Sequence, residues 1–241
     1  MKKLISFSLY GNDPKYIQGM FRNIELKKEF YPDWDIIIYH DNSLEPDVIK
    51  RLSQSAHLKN FTDSGMLAAS WRFCAFDEPD LDRFIVRDAD SRLSRREVEA
   101  VSEWEDSNRS LHIMRDHPHH GHPILGGMWG LKSDVGIISM KDKILEYQGG
   151  KVGHITNRDN WSMADMNFLR DVIYSTFATP RLCKIHAAQD YMHKASWNNE
   201  SWTEDFPTKR NTDKNFVGEI ITFDNEDNEI RGPQYQELLD C

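Results

Sequence analysis

Two carboxylates stand two residues apart in the segment Phe84-Ile85-Val86-Arg87-Asp88-Ala89-Asp90-Ser91-Arg92. The apolar residues ahead of them predict a buried strand, which delivers Asp88 and Asp90 at its C-terminal end. Side chains alternate along an extended chain, so both carboxylates can turn to the same side. Held side by side they repel unless protons or a cation offset the charge. A hard divalent ion, Mn²⁺ or Mg²⁺, suits an all-oxygen pair and keeps coordination positions free for phosphate oxygens. The chemistry this permits is Lewis-acid stabilisation of a departing phosphate group. A lone D-x-D pair arises by chance in many chains, so its weight depends on the elements that hold it.

Those elements follow from patterning. Lys3 to Tyr10 forms a strand pattern that ends at Gly11-Asn12-Asp13-Pro14, where Asp13 can cap a helix and Pro14 suits its first turn. Tyr16, Ile17, Met20, Phe21 and Ile24 then recur at helical spacing. Pro32-Asp33 closes that helix, Asp35 to His40 is a second apolar strand, and Glu45-Pro46 opens a short helix carrying Val48, Ile49 and Leu52. Strand and helix in alternation predict parallel βαβ units, hence an α/β fold. In open sheets of that kind ligands bind at the carboxyl ends of the strands. Further on the pattern predicts a helix over Met66 to Phe76, the strand Phe84 to Val86, and a helix opened by a capping box at Ser94 to Glu97, with Val98, Val101 and Trp104 on its apolar side. A strand over Ser110 to Met114, a loop from Arg115 to Leu125 and a glycine-rich strand from Gly126 to Gly130 come next. Ser162 to Asp165 opens a helix carrying Met166, Leu169, Val172 and Ile173, and Arg181 to His186 is the last strand. The stretch from Lys194 to Glu229 is polar with few periodic signals. Without repeats or a linker, the chain is expected to form one domain over 1–241.

With its D-x-D pair placed behind a buried strand and βα units ahead of it, the sequence resembles the GT-A-fold, nucleotide-sugar-dependent glycosyltransferases. That resemblance implies a Rossmann-related, mixed but mostly parallel central sheet flanked by helices. It also implies a nucleotide-sugar donor, a UDP-sugar, bound by residues 1–115, and an acceptor bound by 116–241, which include an irregular C-terminal segment. Asp88 and Asp90 become ligands of Mn²⁺ or Mg²⁺, and Arg87 a donor contact. Trp71-Arg72-Phe73 resembles the helix that sets a basic residue near the donor phosphates, although Arg72 equally suits an internal ion pair. Ile124 to Gly130 resembles the strand where acceptor and donor sugar approach the backbone, with Gly126, Gly127, Met128 and Trp129 as acceptor contacts. Ser162 to Leu169 resembles a helix start at which an acidic residue, here Asp165, faces the donor sugar. Met166 stands where many relatives carry Gln, and Asp165 fits a helix cap as well. His186 holds the place of a third metal ligand after the last strand, but the H-x-x-G continuation is absent. Phe206 to Arg210 resembles a basic loop over the donor diphosphate, with Lys209 and Arg210 as contacts; a solvated charge run is the alternative. At the end of the first strand Ser8, Leu9 and Tyr10 would hold the nucleoside, Tyr10 stacking on the base, and Asp41 would take the base or ribose.

The loop His117-Pro118-His119-His120-Gly121-His122 has enough imidazoles for zinc, but no cysteine is near, and shaping the acceptor site is the preferred role. At its base, Asp116 is a candidate catalytic base should the reaction invert.

Composition narrows the partners. A net charge of −9 argues against a surface that attracts nucleic-acid backbones throughout. Arg92, Arg95 and Arg96 with Lys209, Arg210 and Lys214 could still gather into a local basic face. The acceptor is therefore a glycan by preference, with a hydroxymethylated pyrimidine of DNA, reached by base flipping, as the alternative. Cys74, Cys183 and Cys241 lack C-x-x-C spacing, which fits a reducing, cytoplasmic setting. The apolar part of Met1 to Tyr10 is short for a leader and is expected to be a strand. No window nears the ~20 apolar residues of a transmembrane segment. Two other classes share features of the chain: a non-catalytic sugar- or nucleotide-binding module, and an aspartyl-nucleophile phosphatase, which expects Thr or Val where Arg92 stands.

Overall fold

The computed structural model describes residues 1–118, 120–152, 163–188, 200–209 and 216–231. Continuous apolar runs in the N-terminal half produce strands buried on both faces. β1 (Lys2–Leu9), β2 (Asp35–His40), β3 (His57–Asn60) and β4 (Leu81–Val86) form one half of a seven-stranded sheet, and β5 (Leu111–Arg115), β6 (Trp129–Lys132) and β7 (Cys183–Ala187) the other. Their order is β3-β2-β1-β4-β6-β5-β7. Every neighbouring pair is parallel except the two that involve β6, which runs against β4 and β5. Strand–helix alternation predicts the parallel α/β part of this sheet, and the mixed, mostly parallel arrangement is the one that the resemblance implies.

The two faces of the sheet divide the apolar residues by parity. Leu4, Ile37, Tyr39, Phe84 and Val86 face one layer with Trp71, Phe73, Trp129 and Phe168. Ile5, Ile36, Ile38 and Ile85 face the other, with Met20, Ile24, Val101 and Trp104. Burial on both sides explains why β2 and β4 read as continuous apolar runs.

Two helices, those expected behind Asp13 and Ser94, start at their expected side-chain caps. α1 (Pro14–Phe30) opens with the Lys15 N–H donating to Asp13 Oδ1 at 2.9 Å, and buries Gly19, Met20, Asn23 and Ile24 along one stripe. α2 (Pro46–Leu52) follows β2, and α3 (Arg95–Glu105) is capped by Ser94, whose Oγ accepts from the Glu97 N–H at 3.4 Å. The segment expected as a helix over Met66 to Phe76 is instead a 3-10 helix, Ala68–Asp77, with Ser70 to Phe76 buried. α4 (Met140–Val152) was not foreseen; the Asp77 carboxylate accepts its first two N–H groups, from Met140 and Lys141, at 2.7 and 2.9 Å. α5 (Ala164–Phe168) continues through a π-helical stretch, Leu169–Tyr174, into the short α6 (Ser175–Phe177). Within the polar C-terminal stretch a small hairpin pairs β8 (Ile221–Phe223) with β9 (Glu229–Arg231). Among the described residues no helix is long and apolar enough to cross a membrane.

Candidate functional site

The carboxyl ends of β1 and β4 open onto a cleft of about 430 Å³. Because β6 runs antiparallel beside β4, the residues just ahead of it, Gly126 to Met128, arrive at that same edge. The start of α5 brings Asp165, and the 3-10 segment brings Arg72. Ser8, Leu9 and Tyr10 complete the β1 side, and Gly218 closes the cleft from the C-terminal segment. A cleft of this size falls within the range of small-molecule sites.

Asp88 and Asp90 both line it. The Asp88 side chain is 41% exposed and is held by the Arg72 guanidinium. Asp90 is deeper, with its side chain 10% exposed and 3.1 Å from the Lys15 ammonium. Burial, then the charge of Asp88, raises the Asp90 pKa; Lys15 opposes that rise. The pair is thus electrostatically coupled within one cavity, as carboxylates sharing a site must be.

Arg72 is fixed by the first strand. Its backbone N–H donates to Ser8 Oγ at 3.1 Å, and its carbonyl accepts from the Ser6 hydroxyl at 2.6 Å. The guanidinium reaches Asp88 on one side and Asp165 Oδ2, at 3.3 Å, on the other. Burial works against its charge, but Asp88 and Asp165 more than offset this and raise its pKa. The glycines are dictated by this bridge. A Cβ on Gly127 would lie 1.9 Å from Asp88 Oδ2, and one on Gly126 would lie 2.6 Å from Arg72 and 2.7 Å from Asp165. Tyr10 sits at the rim, 44% exposed, its ring edge-on to Trp71 at 5.8 Å.

Several residues expected at the site lie elsewhere. Arg87 points to the opposite side of the sheet, where its Nε donates to Glu97 Oε1 at 3.0 Å in the core. Trp129 is fully buried, packed edge-on against Phe73 and Phe84 at 5.4 and 5.3 Å, so it contributes to the core and not to an acceptor surface. Asp116 is fully buried, its two oxygens accepting from Arg96 at 2.7 and 2.8 Å and from the Val217 N–H at 2.9 Å. A carboxylate so occupied is not placed to take a proton from an acceptor. His186 engages His112 through Nδ1 at 2.8 Å and Glu103 through Nε2 at 3.0 Å. With both ring nitrogens so occupied, it does not join Asp88 and Asp90 as a ligand. Asp41 accepts from Ser43, N–H at 3.0 Å and hydroxyl, and steadies its own turn off the cleft wall. Lys209 is exposed and off that wall too; Arg210 and Lys214 fall outside the described residues.

The expected basic face does not assemble from its N-terminal arginines. Arg92 pairs with Glu229 at 2.7 Å, Arg95 with Glu99 at 3.1 Å, and Arg96 with the buried Asp116. In the histidine-rich loop, His117 stacks on Phe216 with centroids 4.4 Å apart, and His120 lines the cleft; His119 lies outside the described residues. No cluster of three His, Cys, Asp or Glu suited to a metal occurs among the described residues.

His120 belongs to the loop expected to shape the acceptor site, whereas Lys15, beside Asp90, is a group that patterning did not single out. A signal for Lys15 existed: the turn after a first strand in an α/β sheet lies at the ligand edge, and Lys15 follows directly on the Asp13-Pro14 cap.

No protein-family model matches the sequence, and no curated protein matches it. Solved structures show loose likeness. The mannosyltransferase PcManGT from Pyrobaculum calidifontis, in complex with GDP-Man and Mn²⁺, is 15% identical with a TM-score of 0.43; the match covers 54% of this chain and 44% of that one. A glycosyltransferase involved in glycosylation of the major capsid of PBCV-1 is 14% identical with a TM-score of 0.42, over 78% of this chain and 82% of that one. A 4-diphosphocytidyl-2C-methyl-D-erythritol synthase from Anaerococcus prevotii is 10% identical with a TM-score of 0.39, over 78% and 88%. Likeness at this level assigns no function, and the site's own chemistry must carry the reading.

Proposed function

We propose that this chain transfers a sugar from a nucleotide-sugar donor, a UDP-sugar, to an acceptor hydroxyl. The observation that carries the reading is the coupled pair Asp88 and Asp90 on the wall of one cleft at the carboxyl edge of a mostly parallel sheet. Two carboxylates are hard oxygen donors, and two suffice for Mg²⁺ or Mn²⁺ where phosphate and water supply the other ligands. The donor set therefore fits such an ion, with Asp88 and Asp90 as its protein ligands. When bound, it would neutralise charge on the departing nucleoside diphosphate.

The chain's own residues supply the rest. Arg72, anchored by Ser6 and Ser8, adds a fixed positive charge to the phosphate end. Asp165, turned into the cleft by that same guanidinium, offers carboxylate oxygens to sugar hydroxyls. Gly126 and Gly127 leave backbone open where a side chain would fill the space. Tyr10 offers an exposed ring to the base, and the acceptor hydroxyl is oriented by Gly126 to Met128. Because Arg92, Arg95 and Arg96 are each paired with an acidic side chain, a glycan acceptor fits better than DNA.

The test is nucleoside diphosphate release from a panel of UDP-, GDP- and dTDP-sugars with Mn²⁺ and pooled glycan acceptors. Asp90→Asn is expected to lower release by roughly 10²-fold or more while its melting temperature stays near wild type. Full release by that variant, or no turnover of any donor by the wild type, would refute the assignment.

A further inference from the structure

Asp88 and Asp90 are neutralised in different ways. The guanidinium on Asp88 is 8% exposed, is shared with Asp165, and donates to the Arg87 carbonyl at 3.2 Å as well. The ammonium on Asp90 belongs to Lys15 in the first turn of α1, is 24% exposed, and has Asp90 as its one carboxylate partner within 4.0 Å among the described residues. Its backbone is pinned by the Asp13 cap, but its four-carbon stem is free to swing. In that same position Lys15 Nζ is 4.2 Å from the Tyr16 ring centroid, and Tyr16 also lines the cleft. Among the described residues, the three carboxylates Asp88, Asp90 and Asp165 in the cleft form ion pairs with two cations, Arg72 and Lys15.

We infer that Lys15 is a displaceable counter-ion of Asp90 that sets how tightly the cleft holds a divalent cation. The inference rests on the reading of Asp88 and Asp90 as cation ligands. A cation approaching Asp90 meets the Lys15 ammonium on the same carboxylate, and the two positive charges repel. Arg72 cannot give way, its guanidinium being held among Asp88, Asp165 and the Arg87 carbonyl; Lys15, held by Asp90 as its one carboxylate among the described residues, can. Once off Asp90, its ammonium stays within reach of the cleft, where a diphosphate offers it a new partner. Cation binding alone is therefore weak, and cation and nucleoside diphosphate bind cooperatively, each favouring the state in which Lys15 has left Asp90.

Calorimetric titration of Mn²⁺ into the full chain, with and without UDP, tests this. Lys15→Gln is expected to bind Mn²⁺ alone roughly tenfold more tightly than wild type. UDP should then tighten Mn²⁺ binding less in that variant than in wild type. Lys15→Arg, which restores the charge, should return to the wild-type pattern. Unchanged or weaker Mn²⁺ binding by a folded Lys15→Gln protein overturns the role of Lys15 while leaving the cation site standing. Absence of Mn²⁺ binding in wild type and variant alike, with UDP present, overturns both. Because Lys15 projects from the first turn of α1 and its backbone cap does not involve its side chain, the variant's melting temperature should match wild type and serves as the folding control.

Discussion

His186 engages its two ring nitrogens inside the fold, and His112 beneath it has a ring stacked on Trp104 at 5.3 Å. Burial, followed by the charge of His186, drives the His112 pKa well below its usual value, and burial lowers that of His186 as well. The sign of the consequence is fixed. As pH falls below the unfolded value of about 6.5, the unfolded chain takes up protons that these buried rings refuse, and stability is lost with falling pH. Each ring contributes up to about 1.4 kcal/mol per pH unit in that window. Urea midpoints at pH 7.5 and 5.5 should show the loss, and His112→Gln should reduce it; an identical pH dependence in the variant would contradict the account. At this scale the sequence was legible where alternation was applied and misleading where it was set aside. Arg87, one step out of phase with Asp88, faces the core with Glu97, whereas Asp88 and Asp90 meet in the cleft through a turn that the Ser91 N–H closes on the Asp88 carbonyl at 3.2 Å. Trp129 was misread because a ring next to glycines at a cleft suggests an acceptor platform, whereas its strand is buried on both faces. The engagement of His186 and Asp116 with partners far along the chain, Glu103 and Arg96, left no local signal.

Elements hold the cleft by close approach as much as by hydrogen bonds. α1 lies so near the D-x-D turn that a Cβ on Gly19 would stand 2.1 Å from the Ala89 carbonyl oxygen. Asn23, one helical turn on, clasps the same turn, donating to the Ser91 carbonyl at 2.9 Å and accepting from the Leu93 N–H at 3.0 Å. Gly19→Ala must push α1 away, at an overpacking cost of about 1–3 kcal/mol against a gain of up to about 1 kcal/mol in helix propensity. Because Lys15 and Asp90 lie on the two sides of this contact, nucleoside diphosphate release should fall alongside the urea midpoint. A variant with wild-type release and midpoint would show that the turn does not depend on α1. Element existence was legible wherever a cap and an apolar stripe coincided, as at Asp13 and Ser94. The 3-10 segment was legible as helical but not as 3-10, because seven consecutive buried residues erase the polar face that reveals a 3.6-residue period. α4 was missed although Ser139 caps it locally, its Oγ accepting from the Asp142 N–H at 3.1 Å; its apolar stripe is thin, with Met140 and Ile144 as its fully buried apolar residues among those described.

Across the whole molecule, strand order explains why chemistry gathers at one edge. Six strands of the sheet point their carboxyl ends the same way, and the reversed β6 carries its preceding glycines to that edge beside β4. α/β alternation in the N-terminal half made this class of sheet readable; the insertion of β6 between β4 and β5 was not, since a four-residue strand pairs through register that no local pattern records. The account's central claim is that this edge holds a divalent cation between β4 and a nucleoside diphosphate. Its most direct test is anomalous diffraction from crystals grown with Mn²⁺ and UDP. The account predicts a manganese peak at coordination distance from the carboxylates of both Asp88 and Asp90, with the diphosphate beside it. A manganese peak bound elsewhere, or UDP seated in the cleft with its diphosphate remote from both carboxylates, would contradict it.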